Sequence, residues 1–427
     1  MKSSLPVLLL FASAVFAQTP PATAYLRCGT LYDGKSDTAQ KNITIRVSGD
    51  KIDQLGAGLQ PEPGATIIDL TREVCLPGLI DTHTHVLLQG DVTAEDYNRQ
   101  ILQYSTPYRT LLGAAAAQKA LGYGFTTIRD VETEGAGYAD VDIKKAINNG
   151  IIPGQRMQVA GRAMNVTGAY PVLGYSWELK WPKGVEEVDG PDAARKAVRE
   201  QISNGVDWIK VYSDRSYRVR PDGVLDDVPT FTMDELRAIV DEAHRERHRV
   251  ASHASALNGV HNSVEAGVDT IEHGFYIADP DLKTMAARGI YYVPTLFVGE
   301  YVAQGRAAEG SHVWIDMINI HAATFRRAVA AGVKIAFGTD AGGFPWTVNP
   351  ASEFSLMVKY GMTPAQALHA ANMTAAELLG IEDQIGSLER GKFADIVAVP
   401  ADPMADIGQL EKVNFVMKAG QVYRRPQ

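Results

Sequence analysis

Eight short β-rich runs recur through the middle of this 427-residue chain, and longer stretches with helical spacing separate several of them. They read LPGLIDTHTH, FTTIRDV, RMQVAG, DWIKVY, RVASHA, DTIEHG, IYYVPT and KIAFGTD. Between them, AARKAVREQISNG and MDELRAIVDEAHRER place Ala, Val and Ile at helical spacing with charges opposite. Strands alternating with helices predict a parallel sheet, and eight of them predict a (β/α)8 barrel. An open doubly wound sheet is the competing fold. It normally carries a glycine-rich phosphate turn after its first strand, and here that strand ends in Asp-Thr-His-Thr-His.

The two ends of the chain read differently. Short alternating runs such as TAYLRCGTLY, NITIRVSG and ATIIDL precede the barrel segment, and ADIVAVPA and FVMKAGQVY follow it. Gly, Asp and Pro punctuate them, which predicts strands and hairpins. We therefore expect β-rich segments over residues 18–76 and 381–427, on either side of a barrel over 77–380. Residues 1–17, MKSSLPVLLLFASAVFA, have a single lysine, a short apolar run and small residues before Gln18. That pattern predicts a signal peptide and an exported, periplasmic or secreted protein. The run is short for a membrane span, and no other stretch reaches that length. Export would permit Cys28 and Cys75 to pair; two buried thiols are the equal alternative.

Composition excludes some functions. Lys plus Arg total 41 against 50 for Asp plus Glu, a net charge of −9, with no dense basic stripe. A nucleic-acid partner is not expected. Two cysteines exclude a four-cysteine zinc site and a disulfide scaffold.

The chemistry gathers at the strand ends. His83 and His85 are two apart, so alternation turns both imidazoles to one side of the first strand. Such a pair can ligate a metal, although two satisfied loop histidines would look the same. The other runs shift the balance: Lys210 closes on the fourth, His253 the fifth, His273 the sixth and Asp340 the eighth. Four of the ten histidines fall in this set, at the positions where barrel active sites are built. Burial lowers a lysine pKa, and a neutral amine can take up carbon dioxide as a carbamate. A salt-bridged barrel lysine is the plain alternative.

LPGLIDTHTH, WIKVYSD, VASHA, TIEHG, FGTDAG and the tail GSLERGKFADIVAV together resemble the amidohydrolase superfamily. The likeness is greatest to its imidazolonepropionase-like branch of prolidases, carboxypeptidases and ochratoxin-hydrolysing enzymes. That resemblance implies a distorted barrel carrying two divalent metals, zinc by expectation, and a small β-sandwich domain formed by the N- and C-terminal strands together. His83, His85 and Asp340 would hold one, His253 and His273 the other, and carboxylated Lys210 would bridge them. It also implies a metal-bridging hydroxide as nucleophile, with Asp340 as the proton carrier, and a homo-oligomer.

Substrate recognition is read from the loops. Tyr212, Tyr217, Arg218 and Arg220 follow Lys210, and Arg218 or Arg220 is a candidate for gripping a carboxylate. Tyr170 stands where prolidase-like relatives carry histidine, and Ser255 where several carry an aromatic residue. Phe344 and Trp346 could add apolar surface or belong to the core. The expected substrate is a small molecule or dipeptide. It is an N-acyl amino acid with a free carboxylate and an apolar C-terminal residue, of the ochratoxin A type. Cyclic amide opening and a non-catalytic periplasmic binding protein are the alternatives. His244 and His248, four apart on a charged helix, read as surface.

Overall fold

A polar inner wall distinguishes the barrel strands from ordinary buried strands. The structure, a computed structural model, describes residues 23–170, 175–176 and 178–426; the expected signal peptide lies outside them. The barrel strands are Leu79–Thr84, Phe125–Asp130, Arg156–Val159 with Met164–Asn165, Trp208–Tyr212, Arg249–Ala254, Thr270–His273 and Tyr291–Val293. Every ladder among them is parallel. The eighth run makes only bridges, Tyr292 to Ile335 on one side and Thr84 to Ala341 on the other. Hydrogen bonds Thr82 N to Phe337 O and Asp340 N to His83 O tie it to the first strand.

The third strand is broken. Arg156–Val159 pairs with the second strand, while Met164–Asn165 pairs with the fourth. Gly161 lies between them at φ +68°, and a Cβ there would meet Val206 at 2.8 Å and Tyr138 at 3.0 Å. Only glycine combines that conformation with that approach. The seam is bridged by a hydrogen bond from Asp207 N to Val159 O.

The outer helices form for local reasons. Met233–Arg245 starts at Thr232, whose side chain caps the Glu235 amide while Glu235 returns to the Thr232 backbone. Its buried residues include Leu236, Ile239, Val240 and Ala243, a single apolar stripe against the sheet. Helices Leu296–Ala308 and Val313–Ala330 both follow the seventh strand and close over one side of the barrel mouth.

Strands from both termini form one seven-stranded sheet. Its order is Gln421–Arg424, Phe415–Lys418, Ile396–Val399, Thr66–Pro77, Thr23–Leu31, Gln40–Ser48, Lys51–Ala57. The sheet has its own apolar core, with Leu26, Ile45, Leu70, Ile396 and Phe415 among its members. Cys28 and Cys75 form a disulfide within it. Among the described residues, no helix is long and apolar enough to cross a membrane.

Candidate metal centre

His83 is oriented from below. Its Nδ1 lies 2.7 Å from Glu272 Oε2, and the other Glu272 oxygen accepts from Arg129 Nη2 at 2.7 Å. Arg129 in turn donates from Nε to Thr82 O and stacks over the Trp208 ring. All three side chains are fully buried. A carboxylate on Nδ1 leaves the Nε2 lone pair of His83 pointing at the site, the arrangement that suits a metal ligand.

Four imidazoles then run in an arc. Ring centroids are 5.2 Å apart for His85–His83, 4.8 Å for His83–His273 and 4.5 Å for His273–His253. Asp340 faces three of them. Its Oδ1 is 3.1 Å from His85 Nε2 and 3.6 Å from His83 Nε2, and its Oδ2 is 4.0 Å from His273 Nδ1. The donor atoms of His83, His85 and Asp340 lie close enough together to share one ion. Burial holds His83, His253 and His273 well below the usual imidazole range, and neighbouring positive charge adds to it. They present neutral lone pairs at neutral pH.

Lys210 is fully buried, and its Nζ has no hydrogen-bond partner. Burial lowers its pKa against the pull of Glu272, Glu132 and Asp340. An ammonium has three donors to satisfy, and leaving a buried charge unsatisfied costs several kcal/mol. The position therefore favours a neutral amine or a modified one.

The backbone at the strand ends is strained. Glu134, His273, Thr295 and Asp340 all have positive φ, between 49° and 69°. Such conformations cost about 1–3 kcal/mol each in non-glycine residues and persist where the surroundings impose them. Here Thr295 Oγ1 lies 2.8 Å from His273 Nδ1, and the Asp340 amide donates to His83 O. The left-handed turn at His273 is what lets consecutive residues Glu272 and His273 both serve the site, against strand alternation.

The arc opens into a cavity of about 570 Å³. Tyr170, Tyr212 and Tyr217, expected at the substrate, all line it. Tyr217 OH lies between Asp214 Oδ1 at 2.9 Å and His253 Nε2 at 3.0 Å. Tyr212 OH is committed to Glu132 at 2.5 Å. Arg218 is not brought there. It sits on the hairpin Asp214–Val219 and Leu225–Pro229, 77% exposed, with Nε and Nη2 both on Asp226 Oδ2. Arg220 is likewise paired with Asp222. Phe344 and Trp346 belong to the core, and His244 is a surface partner of Asp269.

Several participants were missed in the sequence. Glu272 and Arg129 were hidden because the partner of each lies on a distant strand. Glu132 and Glu134 form a second possible ligand group with His85. Their spacing in RDVETE, two apart like His83 and His85, was the available signal. Burial, with Glu134 alongside, holds the Glu132 carboxyl well above the usual carboxylate range. Arg306, the lone charge in the apolar stretch VAQGRAA, also lines the cavity.

Comparison with known proteins agrees with this fold. The model of the amidohydrolase family matches residues 74–423. An ochratoxinase of Aspergillus niger is 31% identical over 386 residues, covering 83% of this chain and 76% of the relative. An imidazolonepropionase of Thermoplasma volcanium is 23% identical, covering 88% of this chain and 89% of the relative. The crystal structure of a Xaa-Pro dipeptidase with bound methionine in its active site superposes with a TM-score of 0.84 at 34% identity. It covers 94% of this chain and 100% of that one.

Proposed function

The chain belongs to the amidohydrolase family, and on that premise we propose that it is an exported binuclear-zinc hydrolase of N-acyl amino acids or dipeptides. The substrate carries a free C-terminal carboxylate and, by preference, an apolar C-terminal residue, as in ochratoxin A. One observation carries the metal reading. Four imidazoles and Asp340 gather at the strand ends near a buried lysine amine that has no hydrogen-bond partner.

The donor set fits two ions. His83, His85 and Asp340 form a complete ligand group. Among the described residues, His253 and His273 belong to no three-membered group of this kind. A carbamate on Lys210 would supply the anionic oxygens that the second pair lacks, while satisfying the orphaned nitrogen. The amine lone pair would attack the carbon of carbon dioxide and the nitrogen would lose a proton. Bound there, the ions would supply an activated water and a Lewis acid for the scissile carbonyl.

The remaining work falls to the chain's own side chains. Asp340 is 17% exposed and lines the cavity, so it can take a proton from the attacking water and deliver it to the leaving nitrogen. That delivery matters because an amide anion is a very poor leaving group. Tyr217 gives its one hydroxyl proton to Asp214 and so presents an acceptor oxygen to the cavity on the His253 side. Phe275, Val298, Val302, Val313 and Trp314 line the cavity with apolar surface suited to a hydrophobic C-terminal residue. The names of the ochratoxinase and Xaa-Pro dipeptidase relatives support this substrate class. The disulfide supports an oxidising compartment.

The test is an assay of the purified protein, loaded with zinc and bicarbonate, on a panel of N-acyl amino acids and dipeptides, with metal analysis. About two zinc ions per chain and release of the C-terminal amino acid are expected. Full metal with turnover of cyclic amides alone would move the substrate towards the imidazolonepropionase relative. No bound metal would overturn the reading.

A further inference from the structure

The two arginines predicted to grip the carboxylate are spent elsewhere, Arg218 on Asp226 and Arg220 on Asp222. A substrate carboxylate would nonetheless enter a cavity lined by Asp91, Glu134, Asp214 and Asp340. It needs a cation there. Two arginines line that cavity, Arg215 and Arg306. Arg215 is exposed at the rim. Arg306 projects from the helix Leu296–Ala308, with its guanidinium over the Trp314 ring at 4.7 Å.

Arg306 is held on one side and unused on another. Nη2 donates to Asp91 O at 2.9 Å and to Asp91 Oδ2 at 2.8 Å. Nε is buried and has no partner. A guanidinium presents five N–H donors in a rigid fork, so an arginine pinned through Nη2 keeps donors for a second carboxylate. Its place is also distinctive. A second cavity of about 270 Å³ adjoins the first, and both are lined by Asp91, Ala169, Tyr170, Arg306 and Ser311. Arg306 thus stands at the waist between two chambers, beside the apolar surface of Trp314.

We propose that Arg306 is the specificity-determining residue that binds the free carboxylate of the substrate, with Asp91 as its positioning partner. The inference rests on the function proposed above and names the residue behind it. Trp314 and Val302 then take the adjoining apolar side chain, so one helix and its successor read both the charge and the side chain of the leaving amino acid.

The experiment compares an N-acyl-L-phenylalanine with its primary carboxamide, which keeps the scissile bond and removes the charge. Wild type, Arg306→Gln, Arg306→Lys and Arg215→Gln are assayed for kcat and KM, and L-phenylalanine binding is measured on each by calorimetry. Melting temperatures identify any variant that fails to fold. Wild type should favour the acid, and Arg306→Gln should lower kcat/KM for the acid by about 100-fold, as expected for a truncated buried charge pair. The loss on the carboxamide should be at least about tenfold smaller, so the preference for the acid collapses. Arg306→Lys should recover part of the loss, and Arg215→Gln should keep the preference. If wild type prefers the acid and Arg306→Gln keeps that preference, the assignment of Arg306 falls and the hydrolase stands. If wild type cleaves acid and amide equally, the carboxylate reading falls and amide hydrolysis stands. If nothing is cleaved, the hydrolase reading falls; L-phenylalanine binding that depends on Arg306 then still supports the assignment, and binding that does not overturns it.

Discussion

The inner wall of the barrel and the recognition wall above it use charged residues in opposite ways. On the inner wall, Arg129, Glu272 and His83 are fully buried and satisfy one another at 2.7 Å. Lys210, beside them, is buried with no hydrogen-bond partner. On the recognition wall, Arg306 is 30% exposed and tied by one nitrogen, and Arg218 is 77% exposed on an Asp226 salt bridge. Burial fixes geometry and leaves unpaired atoms at high energy, so the inner wall is suited to holding ions. Partial exposure leaves donors free to exchange water for ligand, so the recognition wall is suited to choosing substrates.

The largest expected effect breaks the inner wall. Lys210→Met removes the amine and with it any carbamate. Metal content should fall below that of wild type, and kcat should drop at least about 1,000-fold, since an ion contributes several kcal/mol of transition-state stabilisation. Apo protein refilled with zinc in carbon-dioxide-free buffer should recover little activity until bicarbonate is added. Full activity without bicarbonate would mean that the amine itself suffices.

Glu272→Gln tests the orienting part of the same wall. Losing a carboxylate behind a ligating histidine typically costs 10- to 100-fold in metal affinity or activity. The change also leaves Arg129 buried without its counter-charge, and breaking a buried pair in this way costs about 3–5 kcal/mol. Chelator competition and thermal unfolding separate the two. A stable variant with unchanged zinc affinity would show that Glu272 serves the barrel alone.

These two walls were not equally legible. The positions proposed as ligands could be picked out because a strand's period brings them together: His83 and His85 two apart, and His253, His273, Asp340 at run ends. The eighth run was also recognisable, although it forms only bridges. Their supports were not legible, since Glu272 meets His83 from 189 residues away. On the recognition wall the sequence pointed to the arginines nearest Lys210. A hairpin turned Arg218 outward to Asp226, and a helix begun 86 residues after Lys210 brought Arg306 in. Sequence proximity to a barrel strand says which loop a residue is on, but the partner a side chain finds decides where it points. The broken third strand had its own cause, the backbone that only Gly161 can adopt.

Trp314→Ala sharpens the recognition side. It removes apolar surface beside Arg306 while touching no ligand of the metal centre. KM for an apolar C-terminal substrate should rise about 10-fold with kcat nearly unchanged, the signature of lost uniform binding. A fall in kcat at constant KM would place Trp314 against the reacting bond.

Arg218→Gln should do least, and that makes it a sharp test. The Arg218 side chain is largely solvent-exposed, so breaking its pair with Asp226 should leave stability nearly unchanged. Its guanidinium lies outside the cavity lining, so kcat/KM should stay within about twofold of wild type for acid and carboxamide alike. The two arginines then separate cleanly: one lies near Lys210 in sequence and has its charge spent, the other is distant and has donors to give. A 10-fold loss confined to the acid would reverse that assignment. It would require Arg218 to leave Asp226 and the hairpin 214–229 to fold over the cavity once substrate binds, and the recognition wall would then include a moving part.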